Sequence, residues 1–78
     1  MHQLNENMFI IRHFNKRNQK YTQKDLSEIL NIPQTRISRI ENGDIPKLYD
    51  VIKYADFFNI KIDDLIFKKY NRNTKNFE

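Results

Sequence analysis

Five polar side chains crowd one short stretch: Gln34, Thr35, Arg36, Ser38 and Arg39, with Ile37 among them and Ile40 just beyond. An amide, two hydroxyls and two guanidinium groups are the donors and acceptors that suit base edges and phosphate oxygens. Ile37 and Ile40, three residues apart, give a helix one narrow stripe to bury, so the polar five must lie around its outer side. An ordinary solvated helix face has the same composition. The elements that position this helix therefore decide what it can do.

Those elements are legible in TQKDLSEILNIPQTRISRIENG, residues 22–43. Thr22 suits an N-cap, and Asp25 three residues on can close an imperfect capping box. Leu26, Ile29 and Leu30 form the apolar face of a helix over Gln23–Leu30. Asn31 tolerates a left-handed turn position. Pro33 fixes φ for the first turn of a second helix, from Gln34 to about Glu41. Asn42 and Gly43 end that helix with residue types that suit a left-handed C-cap. The N-terminus of the first helix, where Gln23 stands, favours an anion through its free N–H groups and dipole. A short helix, a tight turn and a second helix with a polar outer face describe a DNA-reading motif.

This string resembles the phage repressor and Cro-type (XRE-like) helix-turn-helix family. The TQ opening, the IPQTRISRIENG second half and their spacing match, and LYDVIKYADFFNIKIDDLI stands where that family has its last two helices. The resemblance spans roughly Ile10 to Phe67. It implies an all-α fold: a compact, five-helix repressor-like domain with the helix-turn-helix at helices two and three. It implies base reading by the first, second and sixth residues of helix three, here Gln34, Thr35 and Arg39. Gln34 can pair with adenine, Arg39 with guanine, and Thr35 can meet a thymine methyl. Gln23 is implied as a phosphate contact, Arg36 and Ser38 are assigned provisionally to phosphates, and the N–H groups of Asn42 and Gly43 are further phosphate candidates.

The family pairs an arginine late in helix one with a glutamate, here Glu41. Asn15 or Lys16 stands at that arginine's place, which leaves Lys16 or Arg12 to supply the cation. Asp44 follows Gly43 where the family often has a base, and either meets phosphate repulsion or caps helix four.

The remaining chain supplies a small core. Residues 1–6 read as a flexible arm and residues 7–69 as the domain. Helix one is expected over Asn7 to about Asn18, with Met8, Ile11 and Phe14 as its stripe. Tyr21 reads as core. Helix four, about Lys47 to Phe58, turns Leu48, Val51, Ala55 and Phe58 inward, with Ile52 and Tyr54 flanking. Helix five spans about Ile62 to Lys68, its Asp63 and Asp64 favourable against the dipole. Phe57, Ile66 and Phe67 are more apolar surface than so short a monomer hides, and are expected at a dimer interface. Residues 70–78 read as a polar, disordered tail.

With 78 residues, no cysteine and a net charge of +4, one domain held by helix packing is expected. The polar start MHQLNEN lacks the apolar run of a signal peptide, and no stretch approaches membrane-spanning length. His2 and His13 stand alone without metal-ligand spacing. No phosphate loop or hydrolase arrangement is present, so neither enzymatic activity nor a cofactor is expected.

The expected function is sequence-specific binding of double-stranded DNA by a cytoplasmic, nucleoid-associated homodimeric repressor on a palindromic operator. A phage or mobile-element switch, a restriction–modification controller or an antitoxin all fit, with a regulatory protein as a further partner. The alternatives are a protein-interaction module of the same fold, such as a toxin-binding antitoxin, and the DNA-binding end of a larger regulator.

Overall fold

A computed structural model describes residues 3–72 of the chain. Five helices follow in order: α1 (Gln3–His13), α2 (Gln23–Leu30), α3 (Gln34–Glu41), α4 (Leu48–Phe58) and α5 (Ile62–Phe67), and there is no strand among the described residues. α1 lies against α3 and α5, α2 against α3 and α4, and α4 against α5. The shared core gathers Met8 and Ile11, Tyr21, Leu26 and Leu30, Ile32, Ile37 and Ile40, Val51, Tyr54, Ala55 and Phe58, and Leu65. Every helix thus contributes to one apolar centre, which a chain this short needs.

Asparagines do what glycine does in other chains. The sequence has one glycine, and the positive-φ residues besides it are Asn18, Asn31 and Asn59. Asn31 and Asn59 end α2 and α4 in the left-handed conformation, since a short polar side chain tolerates it best after glycine. Other amides satisfy carbonyls that helix ends leave open. The side-chain N–H2 of Asn5 donates to Ile40 O (2.8 Å) and Asp44 O (2.6 Å), at the end of α3. That of Asn7 donates to Leu65 O (2.8 Å) and Lys68 O (2.6 Å), at the end of α5. Lysine and arginine serve likewise: Lys53 Nζ meets Leu30 O (2.6 Å), Arg17 meets Phe57 O (3.2 Å) and Lys16 meets Asn59 O (3.4 Å).

These amides shift helix one relative to the sequence expectation. It begins at Gln3, inside the expected arm, because Asn5 and Asn7 are buried and anchored. It ends at His13, since the Asn15 side chain donates to Ile11 O (3.0 Å) and Gln19 O (2.8 Å) and its Oδ1 accepts from Arg17 N–H. A side chain that competes for backbone groups breaks a helix at that point. Tyr70 is buried, and its N–H donates to Asn7 Oδ1 (3.2 Å). Residues 1–2 of the expected arm and 73–78 of the expected tail lie outside the described residues.

Helix four buries Val51, Ala55 and Phe58 as expected and departs from expectation at Leu48 and Tyr54. Asp50, Val51, Tyr54, Ala55 and Phe58 face inward, so Tyr54 is fully buried while Leu48 is exposed. Asp50 takes the inward place in the first turn and leaves Leu48 on the outer flank. The Asp50 carboxylate also accepts from Lys47 N–H (3.3 Å), so it, and not Asp44, serves the start of α4. Ile29 is likewise exposed, and Leu26 and Leu30 alone bury the α2 stripe.

Candidate nucleic-acid interface

α2 begins where the Thr22 hydroxyl accepts from Asp25 N–H (3.0 Å) and the Asp25 carboxylate accepts from Thr22 N–H (3.0 Å). The capping box is complete. The Thr22 N–H first, and its hydroxyl second, hold the Asp25 carboxyl below its ordinary range. At the far end Asn31, at φ 55° and ψ 46°, turns the chain, and Ile32 drops into the core. Pro33 stands just before α3 and its carbonyl accepts from the N–H groups of Arg36 and Ile37. Proline at the N-cap presets the entry φ and gives up a donor the helix does not use.

α3 has two unlike sides. Ile37, Ile40 and Glu41 are buried. Gln34, Thr35 and Arg39 are exposed and Ser38 is half-buried. The spacing i, i+1, i+4, i+5 puts these four on one outward face. Gln34, Thr35 and Arg39 have no side-chain hydrogen bond or ion pair among the described residues. Their polar atoms are held on a fixed helix and left open to solvent.

The buried side of α3 is braced by two carboxylates. Arg12 donates from Nε to Glu41 Oε2 (2.7 Å) and from a terminal nitrogen to Oε1 (2.8 Å), and gives a third bond to Tyr21 O (2.9 Å). Both partners are nearly buried, so a fork-to-fork pair with further hydrogen bonds from Gln23 and to Tyr21 O is the arrangement that offsets their desolvation. Arg12 therefore supplies the cation that Lys16 was equally placed to supply in the sequence. Gln23 Nε2 also donates to Glu41 Oε1 (3.0 Å), which ties the start of α2 to the end of α3. Its expected phosphate role is thus joined by a structural one.

The second brace joins α3 to α4. Arg36 donates to both carboxylate oxygens of Asp50, at 3.1 and 2.8 Å. Asp50 is fully buried. Arg36, provisionally a phosphate contact, thus has an internal partner. Tyr54 lies within the field of both braces. Burial first, then the nearby Glu41 charge, pushes its phenol well above the ordinary tyrosine range. Asp50 was missed in the sequence, although its place three residues after Lys47 is the spacing of a helix-start carboxylate. Asn5 was missed too, and no local pattern signals it.

The end of α3 differs from expectation in one respect. Asn42 N–H is donated to Ser38 O and Arg39 O, Gly43 N–H to Ile40 O and Asp44 N–H to Arg39 O. The backbone donors of Asn42 and Gly43 are therefore engaged within the turn. Gly43 sits at φ 109°, a conformation that side chains rarely adopt, and nothing lies within 4 Å of where a Cβ would stand. Its glycine answers to backbone conformation.

The model of the helix-turn-helix family matches residues 11–65, more than half of the chain. The chain belongs to the helix-turn-helix family. Two curated relatives are uncharacterized HTH-type transcriptional regulators. That of Rickettsia conorii is 33% identical over 61 residues, covering 72% of this chain and 56% of its own length. That of Rickettsia prowazekii is 31% identical over 61 residues, covering 72% and 66% respectively. The chain thus spans less than two thirds of either relative's length. No solved structure matches it. The helix-turn-helix of this domain is α2 and α3, and its outward face is the Gln34–Thr35–Ser38–Arg39 surface.

The three expected interface residues of this helix-turn-helix domain fare differently. Phe57 is half-buried, edge-on to Tyr21 and Phe58, with the Arg17 guanidinium 4.2 Å from its ring centre. Ile66 is half-buried against the core, and Phe67 is 77% exposed. No helix among the described residues is long and apolar enough to cross a membrane. Those residues bring no three of His, Cys, Asp and Glu together as a metal site.

Proposed function

We propose that this chain is a sequence-specific, double-stranded DNA-binding transcriptional regulator that acts as a homodimeric repressor. The observation that carries this reading is the outward face of α3, where Gln34, Thr35 and Arg39 are exposed and without partners among the described residues. α3 enters the major groove, Gln34 and Arg39 pair with base edges, and Thr35 meets a neighbouring base. Gln23 and Ser38 flank this face and take phosphates. The Rickettsia relatives are named as transcriptional regulators, which accords with it. Two copies place their reading helices in successive major grooves on a two-fold related operator, about one helical turn apart. Occupancy of a promoter then blocks transcription.

Selection of bound duplexes from a random pool tests this reading. It yields a conserved site with two-fold symmetry, bound with an affinity that falls steeply with salt as phosphate contacts release counterions. Failure to enrich any duplex contradicts it and favours a protein-interaction role for the same fold.

A further inference from the structure

We infer that a second copy of this chain docks on the apolar row formed by Ile45, Leu48, Tyr49 and Ile52, beside the end of the reading helix. The inference rests on the proposed DNA-binding role and names the surface through which its dimer forms. Ile45 is 85% exposed, Leu48 68%, Tyr49 59% and Ile52 42%. Leu48, Tyr49 and Ile52 share one side of the first turns of α4 by their helical spacing, and Ile45 stands exposed in the loop just before them. The row exists because Asp50 turned inward to meet Arg36, which left its large apolar neighbours outside.

Three observations favour a second copy as the occupant. The first is area. Together the four residues leave on the order of 500 Å² accessible, the size of the largest apolar patch on a typical monomer, which is often functional. Doubled across a two-fold axis this is on the order of 1,000 Å², the lower bound for a specific interface. The dimer is therefore weak when free.

The second is charge. Lys47 and Asp56 are both exposed near opposite ends of the row, and Asp56 lies one turn beyond Ile52. A self-complementary surface needs both signs. Antiparallel docking of two α4 helices brings Asp56 of each copy toward Lys47 of the other.

The third is preorganisation. Lys53 Nζ is anchored to Leu30 O at 2.6 Å and lies 4.3 Å from the Tyr49 ring centre. The ring is thereby held at the centre of the row, where a rigid aromatic anchor adds most to an interface. Phe67, the other strongly exposed ring, has only the less exposed Ile62 and half-buried Ile66 as apolar company on the six-residue α5. The row also starts two residues after Gly43, and Asp44 N–H is bonded to Arg39 O. A two-fold axis there keeps both reading helices on adjoining sides of one assembly.

The test compares Leu48→Gln/Ile52→Gln with Phe67→Gln in the full chain, by sedimentation equilibrium and by binding to a half-site and a two-fold site chosen from the random pool. All three positions are exposed, and circular dichroism checks that each variant is folded. The expected result is a dimer dissociation constant raised at least tenfold by the α4 pair and less than twofold by Phe67→Gln. Half-site affinity stays within twofold, while cooperative binding to the two-fold site is lost. Asp56→Lys and Lys47→Asp each weaken the dimer, and together they restore it. A dimer that Phe67→Gln weakens and the α4 pair does not overturns the inference, as does a wild-type chain that stays monomeric both free and on DNA. Loss of half-site affinity by the α4 pair with the dimer intact also overturns it, by assigning the row to DNA. Absence of any DNA binding by the wild-type chain instead contradicts the functional reading beneath it.

Discussion

Arg36 and Arg39 stand three residues apart on the same helix and meet opposite surroundings. Arg36 is forked onto Asp50, which is wholly buried. Arg39 points to solvent with no internal partner among the described residues. On the braced side of α3, Arg12–Glu41 and Arg36–Asp50 fix the helix against α1 and α4. On the open side, Gln34, Thr35 and Arg39 are held in place but left unpaired. Within one short helix, chemically identical groups are divided between an internal brace and an open face by the presence or absence of a buried carboxylate. The open face gains its definition from the braced one, because recognition geometry depends on locked supporting contacts.

The sharpest way to break this contrast is to remove a brace. Glu41→Ala leaves Arg12 buried without its counter-charge and costs about 3–5 kcal/mol, a large share of the stability of a domain this small. Urea unfolding measures it, and a loss below about 1 kcal/mol contradicts a structural role for the pair. Arg36→Ala comes next. Its side chain is partly exposed, so we expect about 2 kcal/mol, set by the charged hydrogen bonds lost at Asp50. The salt dependence of DNA affinity stays unchanged in that variant. A slope shallower by about one unit assigns Arg36 to phosphate instead.

At the capping box, Thr22→Ala costs about 1 kcal/mol of stability. Asp25 adds a pH signature. Its carboxyl is held below the ordinary value of 3.8 in the folded chain. The stability it contributes is therefore present above that value and lost as pH falls through the lower, folded one. Asp25→Asn flattens the stability curve below about pH 4, and an unchanged curve contradicts the cap.

At high pH the sign reverses. Burial, and then the Asp64 charge, raise the Tyr70 phenol to about 12 from 10.0. The unfolded chain loses its proton first, so stability falls between about pH 10 and 12. Tyr70→Phe removes part of that fall.

The α2–turn–α3 unit was legible because its signals are local: Thr22 and Asp25 at capping distance, Asn31 at the turn, Pro33 before the helix, and Ile37 and Ile40 as a stripe. The start of α1 was not, because Asn5 and Asn7 act through carbonyls at the ends of α3 and α5, and its end depends on which backbone groups the Asn15 side chain takes. An asparagine bonded to Ile40 O thirty-five residues away leaves no mark in periodicity. Leu48 was misjudged for a related reason. Hydrophobicity favours it over Asp50 for the inward place, and only the buried fork with Arg36 reverses that order. Arg12 was one of two candidates for Glu41, and its two bonds to the Glu41 carboxylate decide between them. The polar outer face was legible from residue types around the Ile37–Ile40 stripe, while its base-reading positions came only from the family resemblance.

The central claim is that Arg39 reads a base from the open side of α3. Its most direct test is the affinity of Arg39→Ala for the selected site, for that site with each base pair replaced in turn, and for random duplex. Stability should stay within about 0.5 kcal/mol of wild type. The account predicts a loss of about 1–3 kcal/mol at the selected site and relaxed preference at one base pair, with random DNA bound as before. An equal loss on selected and random duplexes contradicts it.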